Sequence, residues 1–169
     1  MKKDNWIMIV FVLTFILSFL FSTISNLFGN INIVLMIIIL MVVMLVGILF
    51  DMVGVAVLSC KEANFHAKAS NKIDGAKECI VLIKNANKTS SVCCDVIGDI
   101  CGIISGTLAA GIVLLLKENI LLDIFITAFI SSLTVGFKAI GKKIAIKNSD
   151  SIVFLVGRTI NKLNFKKKH

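Results

Sequence analysis

The chain has 169 residues, of which 57% are hydrophobic, with no proline and a formal net charge of +8 at pH 7. Apolar runs too long for one small soluble core exclude an ordinary soluble globular domain and indicate a membrane protein. The basic residues lie in the polar segments that flank the apolar runs, which is typical of a membrane protein and argues against nucleic-acid binding.

Four apolar stretches are long enough to cross a bilayer as α-helices, which takes roughly 20 residues because backbone polar groups must bond within the segment. They are Trp6–Phe28, Ile31–Leu58, Val92–Leu116 and Ile120–Ile140. We therefore predict an all-α fold, a polytopic bundle of four transmembrane helices within a membrane domain over residues 1–148. The first stretch also has the basic start and apolar run of a signal peptide, but it lacks a convincing cleavage site.

The distribution of lysine predicts the orientation. Lysines precede the first stretch, fill residues 61–90 and follow the fourth stretch, whereas Ser25–Asn32 has none and the third connection has only Lys117. By the positive-inside rule, both termini and the 61–90 loop are cytoplasmic. The expected location is the cell membrane, and the abundance of Lys, Ile and Asn is typical of a low-GC bacterium.

Two polar segments are predicted to be helical. The loop forms one helix over Lys61–Ala69 and a second one that Asn71 and Asp74 cap, with apolar side chains facing the membrane or the bundle. Residues 149–169 form a basic amphipathic tail. The apolar face of this tail carries Ile152, Val156, Ile160 and Leu163. Two interpretations stay open: the tail docks on anionic lipid, or it is a solvated flank after the last span.

Small residues recur at every fourth position of the third stretch. The stripe consists of Gly98, Gly102, Gly106 and Ala110. Small side chains let helix backbones approach closely, so the stripe predicts a packing seam. In the second stretch, Gly47 and Gly54 share a helical face with Asp51, and we expect this face to meet the stripe.

Three acidic residues are candidate metal ligands, because ionisable groups in or near hydrocarbon usually face a partner or a polar cavity. If the glycine faces pack together, Asp51, Asp95 and Asp99 share one pocket, to which Ser105 adds a hydroxyl. Oxygen ligands suit Mg²⁺. The alternative is that these carboxylates are solvated or paired with lysines.

Several short motifs give the chain a family resemblance. They are Phe50–Ala56, Gly75–Ala76, Ile97–Ile100 and the spaced run Phe137-Lys138-x-x-Gly141-Lys142-x-x-Ala145. In order and spacing, this pattern resembles the transmembrane domain of the CorB/CorC and cyclin M (CNNM) family of magnesium and cobalt transporters. The resemblance covers about residues 47–148 and implies a helical membrane domain, a bound divalent cation and a homodimer.

The chain departs from that family at several cation-contacting positions. Asp51, Val53 and Gly54 stand where the family has serine, serine and glutamate, and Asp99 replaces an asparagine. Lys138 stands at the place of the second glutamate. The regulatory CBS domains that follow in the family have no counterpart, so nucleotide sensing is not expected.

Two functions follow as hypotheses. The first is binding or transport of a divalent cation, Mg²⁺ or Co²⁺, with Asp51 and Asp99 replacing the lost ligands. The alternative is a membrane scaffold or regulatory subunit that acts through helix packing. An enzyme is not expected, because no nucleophile–base arrangement or phosphate-binding loop appears in the sequence.

Overall fold

The computed structural model describes residues 8–16, 19, 23, 32–116 and 120–166. These residues are almost entirely helical, and no strand occurs among them. The all-α prediction is therefore confirmed for the described part of the chain. Residues 8–16 are helical, but much of the first predicted span, Trp6–Phe28, lies outside the described residues.

The described residues from 33 onward form seven helices and one π-helical segment. They are α1 (Ile33–Ser59), α2 (Ala63–Ser70), α3 (Ala76–Lys84), α4 (Ala86–Ser90), the π-helical segment Ser91–Gly98, α5 (Asp99–Leu116), α6 (Ile120–Lys147) and α7 (Ser149–Lys166). The helix α1 begins where the Asn32 side chain accepts a hydrogen bond from the Val34 amide, which satisfies one of the amides that a helix leaves free at its start.

Three helical stretches of the described residues are long and apolar enough to cross a membrane: Ile33–Ser59, Ala86–Leu115 and Leu121–Lys147. They correspond to the second, third and fourth predicted spans. The third stretch begins at Ala86 rather than Val92, and the last continues past Ile140 to Lys147. Exposed apolar side chains cover much of these helices, which supports a membrane-embedded protein because lipid covers such a surface favourably.

The helix α1 is central, since it contacts α5, α6, α7 and the π-helical segment. One core cluster joins α1 to α5. Its buried members are Met36, Leu40, Met44, Leu108, Ala109 and Ile112. A second cluster joins the other end of α1 to α2, α3, α6 and α7. Its members are Ala56, Val57, Cys60, Phe65, Cys79, Ala145 and Val153.

The second cluster lies at the lysine-rich end of the bundle, which we define as the end formed by α2, α3 and α7. Here α3 and α7 approach closely through two glycines. A Cβ on Gly75 would lie 2.8 Å from the backbone of Arg158, and one on Gly157 would lie 2.7 Å from the Gly75 carbonyl oxygen. Gly75 also has a φ of 88°, in the left-handed region that favours glycine.

The predicted cap of the second loop helix is wrong. Asn71 ends α2, and α3 starts only after Gly75, without a side-chain cap. The reason is the reversal between the two helices: Lys72 has a φ of 54° and Gly75 one of 88°, so the backbone at these positions is not helical. The contact of Gly75 with α7 fixes where α3 begins.

The basic tail is helical, as predicted, and α7 packs against α3 and α1. Its buried line is centred on Val153 and Gly157. Of the predicted apolar face, Ile152, Val156 and Ile160 are half-buried at the edges of this line, while Leu163 is 68% exposed.

Candidate functional site at the junction of three membrane helices

Asp51 is buried where α1 meets the π-helical segment, with 3% of its surface exposed. Its position depends on glycine in the facing segment. A Cβ on Gly98 would lie 2.5 Å from Asp51 Oδ1 and 3.2 Å from its Cγ. Real Cβ atoms do not approach oxygen so closely, so Gly98 leaves the space that the carboxylate fills.

Lys138 of α6 provides the positive charge beside Asp51. Its Nζ lies 3.1 Å from Asp51 Oδ2 and donates a hydrogen bond of 3.0 Å to the Gly98 carbonyl oxygen. The ammonium is directed at the carbonyl, and Asp51 Oδ2 has no hydrogen bond of good geometry. The contact with Asp51 is an ion pair, because Coulomb attraction at this distance does not depend on the hydrogen-bond angle.

This ion pair links the three membrane stretches at one point. Asp51 belongs to the first of them, Gly98 to the second and Lys138 to the third. The Lys138 side chain is 21% exposed and that of Asp51 is 4% exposed. Removing either partner would leave an uncompensated charge in a poorly solvated site, which is strongly unfavourable.

The other predicted ligands differ from Asp51 in exposure or in hydrogen-bond partner. Asp95 and Asp99 are exposed, and neither forms an ion pair among the described residues. Ser105 is buried, but its hydroxyl donates to the Gly102 carbonyl oxygen of its own helix at 2.9 Å. No group of three or more His, Cys, Asp or Glu side chains in the described part of the chain is arranged to hold a metal ion.

The glycines of α1 lie against the third predicted span. A Cβ on Gly47 would lie 2.8 Å from Cys101 Cβ, and one on Gly54 would overlap Cys94 Sγ. The two helices therefore approach closely along the face of α1 that carries Asp51, where close contact replaces the missing hydrophobic driving force.

The small-residue stripe leaves this contact after Gly98. A Cβ on Gly102 or Gly106 would meet nothing within 4 Å, and Ala110 is exposed. The physical reason is helix geometry: each step of four residues turns about 40° past a full turn, so an every-fourth stripe rotates away from a straight seam. The seam instead follows spacings of three and four. Its residues are Gly98, Cys101, Ser105, Leu108 and Ile112.

Lys138 is the member of the site whose role the sequence analysis missed. The lysine pattern counted Lys138 among the basic residues that follow the fourth span, although Lys138 lies within the predicted bounds Ile120–Ile140. The signal was nonetheless present, since a lysine inside an apolar run needs a carboxylate or carbonyl partner. Asp51 was the one acidic residue inside the second predicted span, and it is the partner found.

The cation held at this site is therefore a side chain of the protein, the ammonium of Lys138. One carboxylate and one backbone carbonyl surround the ammonium of Lys138, and Asp95 and Asp99 remain at the surface. No family model, curated protein or solved structure matches the chain.

Proposed function

We propose that this protein is a membrane scaffold or regulatory subunit that acts through helix packing and does not transport ions. In this proposal it crosses the cell membrane four times, with both termini and the loop of α2 and α3 in the cytoplasm. The observation that carries the proposal is the ammonium of Lys138, which lies 3.1 Å from Asp51 Oδ2 and bonds the Gly98 carbonyl oxygen.

Charge explains why this observation argues against transport. Mg²⁺ prefers about six oxygen ligands, and a divalent ion at this point would stand next to a fixed positive charge in a medium of low dielectric constant. In the family that the sequence resembles, a glutamate stands at the position of Lys138. Lysine at this position replaces an anionic metal ligand with a cationic side chain. This side chain stabilises the contact of the three helices.

The surface of α5 suggests how such a scaffold would bind its partner. Gly102 and Gly106 face open space, and Ala110 continues the same line one turn further on. This open stripe, defined as these three residues, would let a second helix approach the α5 backbone closely. A second copy of the chain or another membrane protein would fit there.

Self-association in lipid nanodiscs or mild detergent tests the proposal, measured by sedimentation and by chemical cross-linking. We expect Gly106→Leu to abolish the complex because the leucine fills the open stripe. Gly136→Leu is the matched control, since a Cβ on Gly136 of α6 also meets nothing within 4 Å. Equal behaviour of the two variants, or a monomeric wild type that captures no membrane partner, would contradict the scaffold.

Divalent-cation transport or binding of the CorB/CorC type remains the second candidate, with Mg²⁺ or Co²⁺ as substrate. The observation that favours it is Asp51 Oδ2, which is buried and accepts no hydrogen bond although it lies 3.1 Å from the Lys138 ammonium. If the Lys138 side chain moved away, this oxygen and the Gly98 carbonyl would be free to bind another cation, with Asp99 and Asp95 nearby along the third span.

Calorimetry with Mg²⁺ on the purified protein separates the two candidates. The scaffold hypothesis predicts that Mg²⁺ does not bind saturably to the wild type. It also predicts that Lys138→Gln, which removes the competing charge, gains Mg²⁺ binding. Transport predicts saturable binding to the wild type that the Asp51→Asn/Asp99→Asn double variant loses. The second result would replace the scaffold proposal.

A further inference from the structure

A groove between α2 and α7 at the lysine-rich end of the bundle carries three cations that have no acidic partner. Lys68 of α2 and Arg158 and Lys162 of α7 line this groove, which has a volume of about 430 Å³. No carboxylate of the described residues forms an ion pair with any of the three. We name this surface, with Phe154 and Leu155, the basic groove.

Aromatic contacts hold two of these cations in place. The Lys68 ammonium lies 4.7 Å and the Arg158 guanidinium 5.6 Å from the centre of the Phe154 ring, within the range of cation–π attraction. Phe65, which is fully buried beneath, fixes the position of α2, and Lys68 lies 5.0 Å from its ring. The charges are therefore held in position without being neutralised.

Asp150, an acidic residue that also lines the basic groove, already has two hydrogen-bond donors. Asp150 accepts hydrogen bonds from the Cys60 thiol at 2.9 Å and the Asn64 amide at 2.6 Å, one on each carboxylate oxygen. On its other side, Asp150 borders a second polar hollow that Lys61 and Lys147 line. The positive charge around the basic groove thus exceeds its negative charge.

The basic groove begins at the level where the membrane helices end. Asp150, which lines the groove, accepts a hydrogen bond from Cys60, the residue directly after α1, and shares a second hollow with Lys147, the last residue of α6. Beside the cations, Leu155 is 65% exposed. A phosphate next to an apolar chain matches this combination of fixed cations and exposed leucine, and a leaflet of lipid supplies such a molecule at high local concentration.

We propose that the basic groove binds the phosphate headgroup of an anionic membrane lipid from the leaflet at the lysine-rich end, with the first part of an acyl chain against Leu155. Surface lysines on a solvated tail would attract anionic lipid without selecting a position. Here the cations come from two helices that Phe154 and the core around Val153 hold together, so the site is localised.

Native mass spectrometry of the full chain tests this inference, with dioctanoyl-phosphatidylglycerol, dioctanoyl-phosphatidylcholine and inorganic phosphate as probes. We expect saturable adducts with phosphatidylglycerol only. The variant Lys68→Gln/Arg158→Gln/Lys162→Gln should bind it about 100-fold more weakly, from the contribution of each basic residue near an anionic surface. Lys68→Gln/Lys162→Gln, which keeps the Arg158 side chain on the Phe154 ring, guards against misfolding and should bind phosphatidylglycerol about 30-fold more weakly.

The matched control removes the same charge elsewhere. Lys72, Lys77 and Lys143 are exposed and lie outside the basic groove, so their glutamine variant should bind phosphatidylglycerol as the wild type does. An equal loss in this control would show that binding is diffuse and would overturn the proposal. Equal binding of phosphatidylcholine, full competition by inorganic phosphate, or tighter binding of a glutamate-rich peptide would do the same.

Discussion

The ion pair of Lys138 and Asp51 joins α6 to α1 within the apolar part of the bundle. Its two side chains are largely buried, and Gly98 supplies both the space for the carboxylate and the carbonyl that the ammonium bonds. A charged pair in such a place stabilises the fold mainly by preventing the isolation of either charge. The stability of the helix contacts should therefore depend on both partners together.

A double-mutant cycle measures this dependence. We expect Asp51→Asn and Lys138→Met each to lower the free energy of unfolding by about 3 kcal/mol, because each leaves a buried charge without a partner. The double variant should lose less than the sum of the two. Unfolding in mixed micelles with increasing denaturing detergent gives the values. Additive losses would mean that the two groups do not interact.

The Cys60 thiol gives a second prediction for single residues. Burial, followed by the hydrogen bond and the charge of Asp150, raises the pKa of Cys60 from 9.0 to about 12. The folded state thus favours the protonated thiol. The stability that the folded state gains from the protonated Cys60 thiol is fully present below pH 9.0 and is lost as the pH rises towards 12.

Alkylation of Cys60 by iodoacetamide should therefore remain slow at pH 9, since the thiolate is the reactive form. Asp150→Asn should speed the reaction because it removes a negative charge that opposes ionisation, although burial still keeps the pKa raised. Mass spectrometry of the Cys60 peptide follows the rate. Asp74→Asn, at an exposed position between α2 and α3, is the control. A rapid reaction of the wild type at pH 9 would contradict the prediction.

At the scale of the helix, the contact between α1 and the third membrane stretch follows one side of the π-helical segment and α5. Gly98 is on this side, and Gly102, one turn further, is not. The two glycines look equivalent in the sequence because both belong to the every-fourth pattern. Their different surroundings allow a direct comparison.

Gly98→Ala should destabilise the protein by about 1 to 3 kcal/mol, because the new methyl group overlaps the Asp51 carboxylate. Gly102→Ala meets no neighbour and should be neutral or stabilise by up to about 1 kcal/mol, through its better helix propensity. Thermal unfolding in detergent compares the two. If both substitutions had the same effect on thermal unfolding, the conclusion that the stripe turns away from α1 after Gly98 would be wrong.

At the scale of the whole molecule, the number of membrane crossings determines where the termini lie. The described residues include three helical stretches that could span, and the lysine pattern predicts a fourth, before them, with both termini cytoplasmic. An odd number of crossings would put the termini on opposite sides. The side of the membrane on which the N-terminus lies therefore tests whether the first predicted span crosses the membrane.

Trypsin treatment of inverted membrane vesicles checks this topology in a chain with a tag at each end. We expect trypsin to remove both tags and to cut at Lys72 and Lys77, which are exposed around the turn from α2 to α3. In sealed right-side-out vesicles all of these sites should be protected. Protection of the N-terminal tag alone in inverted vesicles would show that residues 6–28 do not span.

Local composition and spacing were enough to predict most helices and one contact between them. Apolar length predicted the helices α1, α5 and α6, because a lipid environment leaves the backbone few choices other than helix. The 3.6-residue pattern of apolar side chains predicted α2, α3 and α7 in the polar segments. Glycine content predicted that α1 and the third stretch approach closely. None of these inferences required knowing which residues distant in the chain meet.

Which side chains meet depends on how the helices pack in three dimensions. Asp51 is buried and pairs with Lys138, whereas Asp95 and Asp99 are exposed, and the start of α3 is fixed by its contact with α7. Both outcomes depend on the rotation of one helix relative to another, to which the π-helical segment and the drift of about 40° per four residues contribute. Helix periodicity gives the faces, but the packing of whole helices selects which faces touch.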